Sequence, residues 1–410
     1  MAKTSRTYNY LRVVPLWIVF MIIGSMTAEA ATYYVATTGN DGYACTTAQT
    51  ISTPKRTIKS GVACLKPGDK LYIRAGTYTE RIDLATPNKS GTAGYYITIA
   101  GYPGEKPTIR YSEGTDGYSV IRAWGNRGWL IFENLILDGA LSGNRTGWKI
   151  AFGNHDFILR NLEIRNFHAN GVYIEANNVQ ILNCKIHHQV SGDSNRWYGI
   201  YFHHGANGLI EGNEIYNNPG GGIHAYPGPI SNLIIRRNRI FSNNTMTTSN
   251  VEGIIVYRGS SNGVLQSVTG VQIYNNVVYK NSIYGGTSGG IRVSNGPDGT
   301  KIWNNTVYAN KGWGINIQTG TSKPTNTVVQ NNIVFANTLG QIANTGIGSI
   351  LNANLTTDPR FVNASAADFN LQTSSPAINK GVILSVIKTD IRSVSRPKGS
   401  THDIGAYEVQ

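Results

Sequence analysis

An asparagine-led segment that recurs along the chain, each time just ahead of a hydrophobic pair, constrains the fold more than any other feature. It reads RNLEI (160–164), LNCKI (182–186), GNEIY (212–216), RNRIF (237–241), NNVVY (275–279), NNTVY (304–308) and NNIVF (331–335). Aligning Ile164, Ile186, Ile215, Ile240, Val278, Val307 and Val334 gives steps of 22, 29, 25, 38, 29 and 27 residues. A short unit with variable insertions cannot bury its apolar face alone. It stacks on copies of itself and grows along one axis.

Two further signals occur between the asparagine segments. Glycine followed by alternating aliphatics appears as NGVYIE (170–175), YGIYFH (198–203), GGIHAY (221–226), EGIIVY (252–257), GGIRVS (289–294) and WGINIQ (313–318). Such alternation marks strands with one buried and one solvated face. The inward set is Val172/Ile174, Ile200/Phe202, Ile223/Ala225, Ile254/Val256, Ile291/Val293 and Ile315/Ile317. A third strand precedes each asparagine turn, with Phe157/Leu159, Val179/Ile181, Leu233/Ile235, Val271/Ile273 and Thr327/Val329 inward. Three short strands per turn, each stacked on its counterpart, make an all-β parallel β-helix, a solenoid rising ~4.8 Å per rung.

The asparagines then have a structural reading. Asn213, Asn238, Asn276, Asn305 and Asn332 share one register, which Leu162 and Cys184 fill in earlier rungs. Asn218, Asn243, Asn281, Asn310 and Asn337 share a second. Amides stacked at the rung spacing can bond along the axis and satisfy turn carbonyls.

The flanking segments set the organisation. Residues 1–30 read as a signal peptide: Lys3, Arg6 and Arg12 precede the largely apolar Val13 to Met26, and Ala28-Glu29-Ala30 offers a cleavage site. The mature chain is then expected to be secreted, periplasmic or on the cell surface, a monomer with no transmembrane span. Residues 31–69 are expected to cap the coil, 70–345 to form it, and 346–410 to make an irregular C-terminal cover. In an oxidising compartment Cys45 and Cys64 are expected to pair, leaving Cys184 as a small buried hydrophobe. The formal charge of +13 falls to +11 without Lys3, Arg6, Arg12 and Glu29. A basic exported protein points to an acidic polysaccharide as partner, and export argues against nucleic acid.

YYVATTGND (33–41), KPGDKLYIRAGTY (66–78), the asparagine repeats and the SPAIN (375–379) and DIGAYE (403–408) tail carry a resemblance across the whole mature chain. It resembles the right-handed parallel β-helix proteins of the pectate-lyase-like superfamily. The resemblance implies a single right-handed coil. For activity it spans polysaccharide lyases, glycoside hydrolases, uronate epimerases and binding proteins without catalysis. Some lyases of this kind use Lys or Arg as base, with calcium held by clustered acidic residues. Here no Asp-rich cluster is visible, and Asn170 stands where an acidic ligand is expected. Calcium is therefore possible but not indicated, and no metal ligand is assigned.

The outward residues of the glycine-led strands carry the chemistry. One column runs Tyr173, Tyr201, His224, Ile255, Arg292, Asn316, and its neighbour runs Glu175, His203, Tyr226, Tyr257, Ser294, Gln318. Trp197, Tyr198 and Trp313 are expected at the edge, and Glu252 as a further outward acid. Tyr173, Glu175, Trp197, Tyr198, Tyr201, Glu252 and Trp313 are the expected substrate-binding set, since aromatic rings with a polar handle suit sugar faces. His203, His224, Tyr226, Tyr257, Arg258 and Arg292 are the expected catalytic set. β-Elimination on a uronate needs a base, a proton donor and positive charge on the carboxylate, which His, Tyr and Arg supply. Hydrolysis needs two carboxyl groups ~5–9.5 Å apart. Glu175 and Glu252 lie three rungs apart, ~14 Å at the strand spacing, unless Asp193 joins from a loop. A uronate epimerase would use the lyase set. A non-catalytic carbohydrate-binding or adhesion coil, or a structural secreted protein, needs no catalytic set at all.

Overall fold

The computed structural model describes residues 1–2, 29–110, 120–139, 148–190, 197–245, 252–283 and 288–409. The leader expected at 1–30 lies almost wholly outside them, as does Asp193. Among the described residues three long sheets build the coil, and successive rungs pair in parallel. Sheet A has twelve strands, from Thr32–Val35 to Ile350–Asn352. Sheet B has ten, from Thr77–Thr79 to Ile333–Phe335. Sheet C begins at Trp148–Ile150 and ends at Gly340–Asn344. Among the described residues no helix is long and apolar enough to cross a membrane.

The register follows the repeat. Ile164, Ile186, Ile215, Ile240, Val278, Val307 and Val334 are direct partners in consecutive strands of sheet B. The inward residues of sheet C line the interior, and none of the twelve is more than 1 % exposed. Each such Ile or Val contributes roughly 1.5–3 kcal/mol by leaving water, so the alternation dictates which face turns in.

The turn between sheets A and B uses asparagine in two ways. At its first position Asn161, Asn183, Asn275, Asn304 and Asn331 adopt left-handed backbone, with φ between 48° and 57°. Asparagine tolerates this conformation better than most residues, and Gly212 takes its place in one rung. At the second position the amides form a ladder. Asn238 Nδ2 donates to Asn276 Oδ1 at 2.9 Å, Asn276 to Asn305 at 3.0 Å, and Asn305 to Asn332 at 3.0 Å. The same amides donate to backbone carbonyls, as Asn276 does to Ile235 at 2.9 Å. The ladder continues one rung further than the repeat suggests, to Asn354. A parallel ladder joins Asn218, Asn243, Asn281, Asn310 and Asn337.

At the N-terminal end, the helix Ile58–Cys64 presses Ile58 and Val62 onto the core. Thr57 caps it by accepting from the Ser60 amide, and a disulfide joins Cys64 to Cys45. Cys184 is buried and free.

The C-terminal tail takes a different path from an end cover. It runs back along the outside of sheet B, where Phe361, Phe369, Leu371, Ile404 and Tyr407 pack on Val277, Tyr279 and Ile333. It reaches as far as Arg239, which donates to Tyr407 Oη at 3.2 Å and to the Ala367 carbonyl. The cause lies in the repeat itself. Its last residue points outward, so Tyr216, Phe241, Tyr279, Tyr308 and Phe335 form an aromatic column that needs a cover. The last rung keeps Ile347, Ile350 and Leu351 exposed.

Candidate functional site

Sheet C carries the candidate residues, and parallel pairing alone builds their first column. Lys149 lies opposite Tyr173, Tyr173 opposite Tyr201, Tyr201 opposite His224, His224 opposite Ile255, and Ile255 opposite Arg292. Lys149 was outside the expected set, although GWKIA (147–151) has the same glycine-led alternation one rung earlier.

The rings form a continuous strip over four rungs. Centroid separations are 5.0 Å for Tyr173–Tyr201, 5.1 Å for Tyr201–His224, 5.2 Å for His224–Tyr226 and 5.3 Å for Tyr226–Tyr257. His203 lies against both Tyr173 and Tyr201, at 5.3 and 5.6 Å. His224 is stacked nearly parallel to both Tyr201 and Tyr226. Tyr226 in turn lies directly over Gly259, where an added Cβ would stand 2.3 Å from the ring. Only glycine permits that approach.

Two ion pairs lie along the strip. At one end Lys149 Nζ stands 3.1 Å from Glu175 and 5.0 Å from the Tyr173 ring centre. Tyr173 Oη donates to Glu175 Oε1 at 3.0 Å. Burial pushes the Glu175 carboxyl toward the neutral form, but Lys149 and Tyr173 outweigh it and hold the group below the usual carboxylate range. At the other end Arg292 Nη1 pairs with Glu252 at 3.1 Å. Burial raises the Tyr173 and Tyr201 phenols well above their ordinary value, so both stay protonated. Burial also lowers the His203 and His204 imidazoles, with Glu175 opposing in part, so both are neutral at pH 7.

The second column departs from the expected alignment. Glu175 pairs across the rung with His204, because the register shifts between Ile174 and Glu175. The resulting bulge brings both consecutive imidazoles to Glu175: Nδ1 of His203 is 3.0 Å from Nδ1 of His204 and 3.6 Å from Glu175 Oε1. This is the one group of three nitrogen and carboxylate donors close enough to share a metal ion among the described residues. The sequence reading assigned no metal ligand and passed over His204; the signal was the HisHis pair at the end of a glycine-led strand.

Four other expectations need correction. Glu252 is fully buried rather than outward, since it precedes the strand and lies behind Arg292. Tyr198 is 6 % exposed, its ring packed 4.3 Å from His224 and 5.6 Å from Tyr201, so it packs against the strip and has little free surface. Arg258 turns out of the strip and donates to the Gln266 carbonyl at 2.7 Å, tying down the loop after Tyr257. Trp313 is covered on one side by the backbone of Gly340, where a Cβ would meet its ring at 2.2 Å. Trp197 remains half-buried at the edge.

Residues 33–332 match the family described as Pel9A-like, right handed beta helix region. No curated protein matches the chain in sequence. Among solved structures, the chain is similar to the pectate lyase Pel9A at 17% identity, with a TM-score of 0.65 over 93% of this chain and 96% of that one. A rhamnogalacturonan lyase is also 17% identical, with a TM-score of 0.63 over 84% and 96% of the two chains. XylC in complex with xylose is 11% identical, with a TM-score of 0.56 over 92% and 98%. At these identities the likeness establishes the right-handed coil.

Proposed function

The chain belongs to the Pel9A-like right-handed β-helix family, and from that premise we propose that it is an exported protein that binds an acidic, uronate-containing polysaccharide along sheet C and cleaves it by β-elimination. The observation that carries the reading is His224, held face to face between Tyr201 and Tyr226 at the centre of an outward strip of rings. The net basic charge and the lyase names of two structural neighbours support the substrate class.

In this reading the stacked tyrosines and His203 receive sugar faces. His224 takes the proton next to the uronate carboxyl group, the carbon–carbon double bond forms, and the bond to the leaving glycosidic oxygen breaks. Tyr201, the direct strand partner of His224, supplies the proton to that oxygen. Base and donor project from one sheet face, so both reach the same side of the bound sugar. Arg292 lies in the His224 column two rungs on, ~10 Å away at the strand spacing, where its guanidinium can meet a substrate carboxylate. The burial of Glu252 removes it as a partner for Glu175 in hydrolysis.

Binding without cleavage has one observation in its favour: Lys149 and Arg292 each already face a protein carboxylate. The test is an ultraviolet assay for unsaturated uronate ends on pectate, rhamnogalacturonan, alginate and glycosaminoglycans. Product from one acidic glycan, lost in His224→Ala, is expected. Binding on that panel with no product would replace the lyase with the non-catalytic reading.

A further inference from the structure

We propose that Glu175, His203 and His204 bind one divalent transition-metal ion through two imidazole nitrogens and one carboxylate oxygen. The register shift at Glu175 makes the site. In a regular strand, consecutive residues face opposite sides, and His203 and His204 would never meet. Here their Nδ1 atoms are 3.0 Å apart. Two nitrogens each about 2.05 Å from a common ion stand about 2.9 Å apart at a right angle and about 3.3 Å apart at the tetrahedral angle. The observed separation falls between these limits, and Glu175 Oε1, at 3.6 Å from His203 Nδ1, completes a three-point face.

The donor set selects the ion. Two nitrogens and one oxygen suit zinc, cobalt or nickel. They do not suit calcium, which takes six to eight oxygens; Glu175 is the only carboxylate of the three, and its second oxygen faces Lys149. The calcium that the family resemblance raises therefore does not fit here, and a nitrogen-binding ion does. On the β-elimination reading, such an ion would supply a Lewis acid for a carboxylate oxygen beside Tyr173 and Tyr201. Occupancy itself does not depend on that reading.

An internal comparison is available. His187 and His188 also turn their Nδ1 atoms together, at 2.7 Å. There, however, Glu163 faces His187 Nε2 and Asn217 holds His188 Nε2, so no third donor converges on the pair. A bare Nδ1–H···N contact explains that pair, and the same contact is the rival account of His203 and His204.

The experiment uses tag-free, chelator-stripped full chain without glycan, titrated with zinc chloride by calorimetry and by metal content after dialysis. One zinc per chain is expected, with affinity reduced about ten-fold or more in both His204→Ala and Glu175→Gln, no change in His188→Ala, and no displacement by millimolar calcium. The near-isosteric Glu175→Gln, with its metal-free melting temperature measured, separates ligand loss from misfolding. Absence of zinc binding by the wild type would overturn the proposal, as would unchanged affinity in both variants or loss of the site in His188→Ala. Because no glycan is present, failure here leaves the lyase assay independent.

Discussion

The imidazole of His224 and the phenol of Tyr201 lie face to face on adjacent rungs, 5.1 Å between ring centres with 23° between planes. Rung pairing sets the contact, since Tyr201 and His224 are direct partners in sheet C. The two side chains proposed as base and donor are thus held on paired strands rather than on loops. If they work as a pair, His224→Ala and Tyr201→Phe should each lower turnover by roughly 10²–10⁴-fold, with melting temperatures within a few degrees of wild type. Initial rates on the active glycan, with melting curves alongside, check this. Full activity in Tyr201→Phe would exclude the phenol as proton donor.

The amide ladder makes a stability prediction with no functional component. Asn276 accepts from the backbone and side chain of Asn238 and donates to Asn305 and Ile235. Asn276→Ala leaves buried donors on Asn238 unpaired, at a cost of about 1–3 kcal/mol. Denaturant unfolding of the two proteins measures it. A variant as stable as wild type would show that the ladder is ornamental to stability.

The tail is locked by a charge pair with no exposure on either side. Arg396 Nη1 lies 3.1 Å from Glu408, and its two terminal nitrogens donate to the Asp403 and Gly405 carbonyls. Removing one partner of a buried pair strands the other, so Arg396→Ala should destabilise by about 3–5 kcal/mol. The loss should first appear as protease cleavage within 357–409, because the tail clamps the outside of sheet B rather than forming the coil. Cleavage that instead begins among the glycine-led strands would contradict that order.

His402 supplies a pH dependence. It is almost fully buried, and burial, with Arg396 and Lys388 near, lowers its pKa from the ordinary 6.5 to about 4. The unfolded chain takes up this proton below pH 6.5 and the folded chain only near pH 4. The stabilisation is therefore complete above pH 6.5 and is lost as the pH falls through that window. Melting temperatures between pH 7.5 and about 4.5 should fall more steeply for wild type than for His402→Gln. Parallel curves would remove His402 from the acid response.

Much of the strip was legible because strand pairing is periodic. Once Ile200 and Ile223 are inward, Tyr201 and His224 must be outward and adjacent. Lys149 obeys the same rule one rung earlier, where the glycine-led segment stands apart from the main repeat array. His204 obeys no periodic rule. It joins Glu175 through a local register shift, and such irregularities leave little trace in a pattern of twos. The pairing of Glu252 with Arg292 was equally hidden, since it depends on where the chain enters the strand and not on the strand itself.

The sequence by itself determined the coil: which residues line it, how the rungs align, and where asparagines stack, because each follows from local alternation and a near-constant repeat. Tertiary structure alone decided the path of residues 357–409, the enclosure of Glu252 and the meeting of His203 with His204. Those outcomes come from contacts between segments that no repeat relates. Their partners are chosen by the surface left uncovered and the charge left unmatched once the coil has formed.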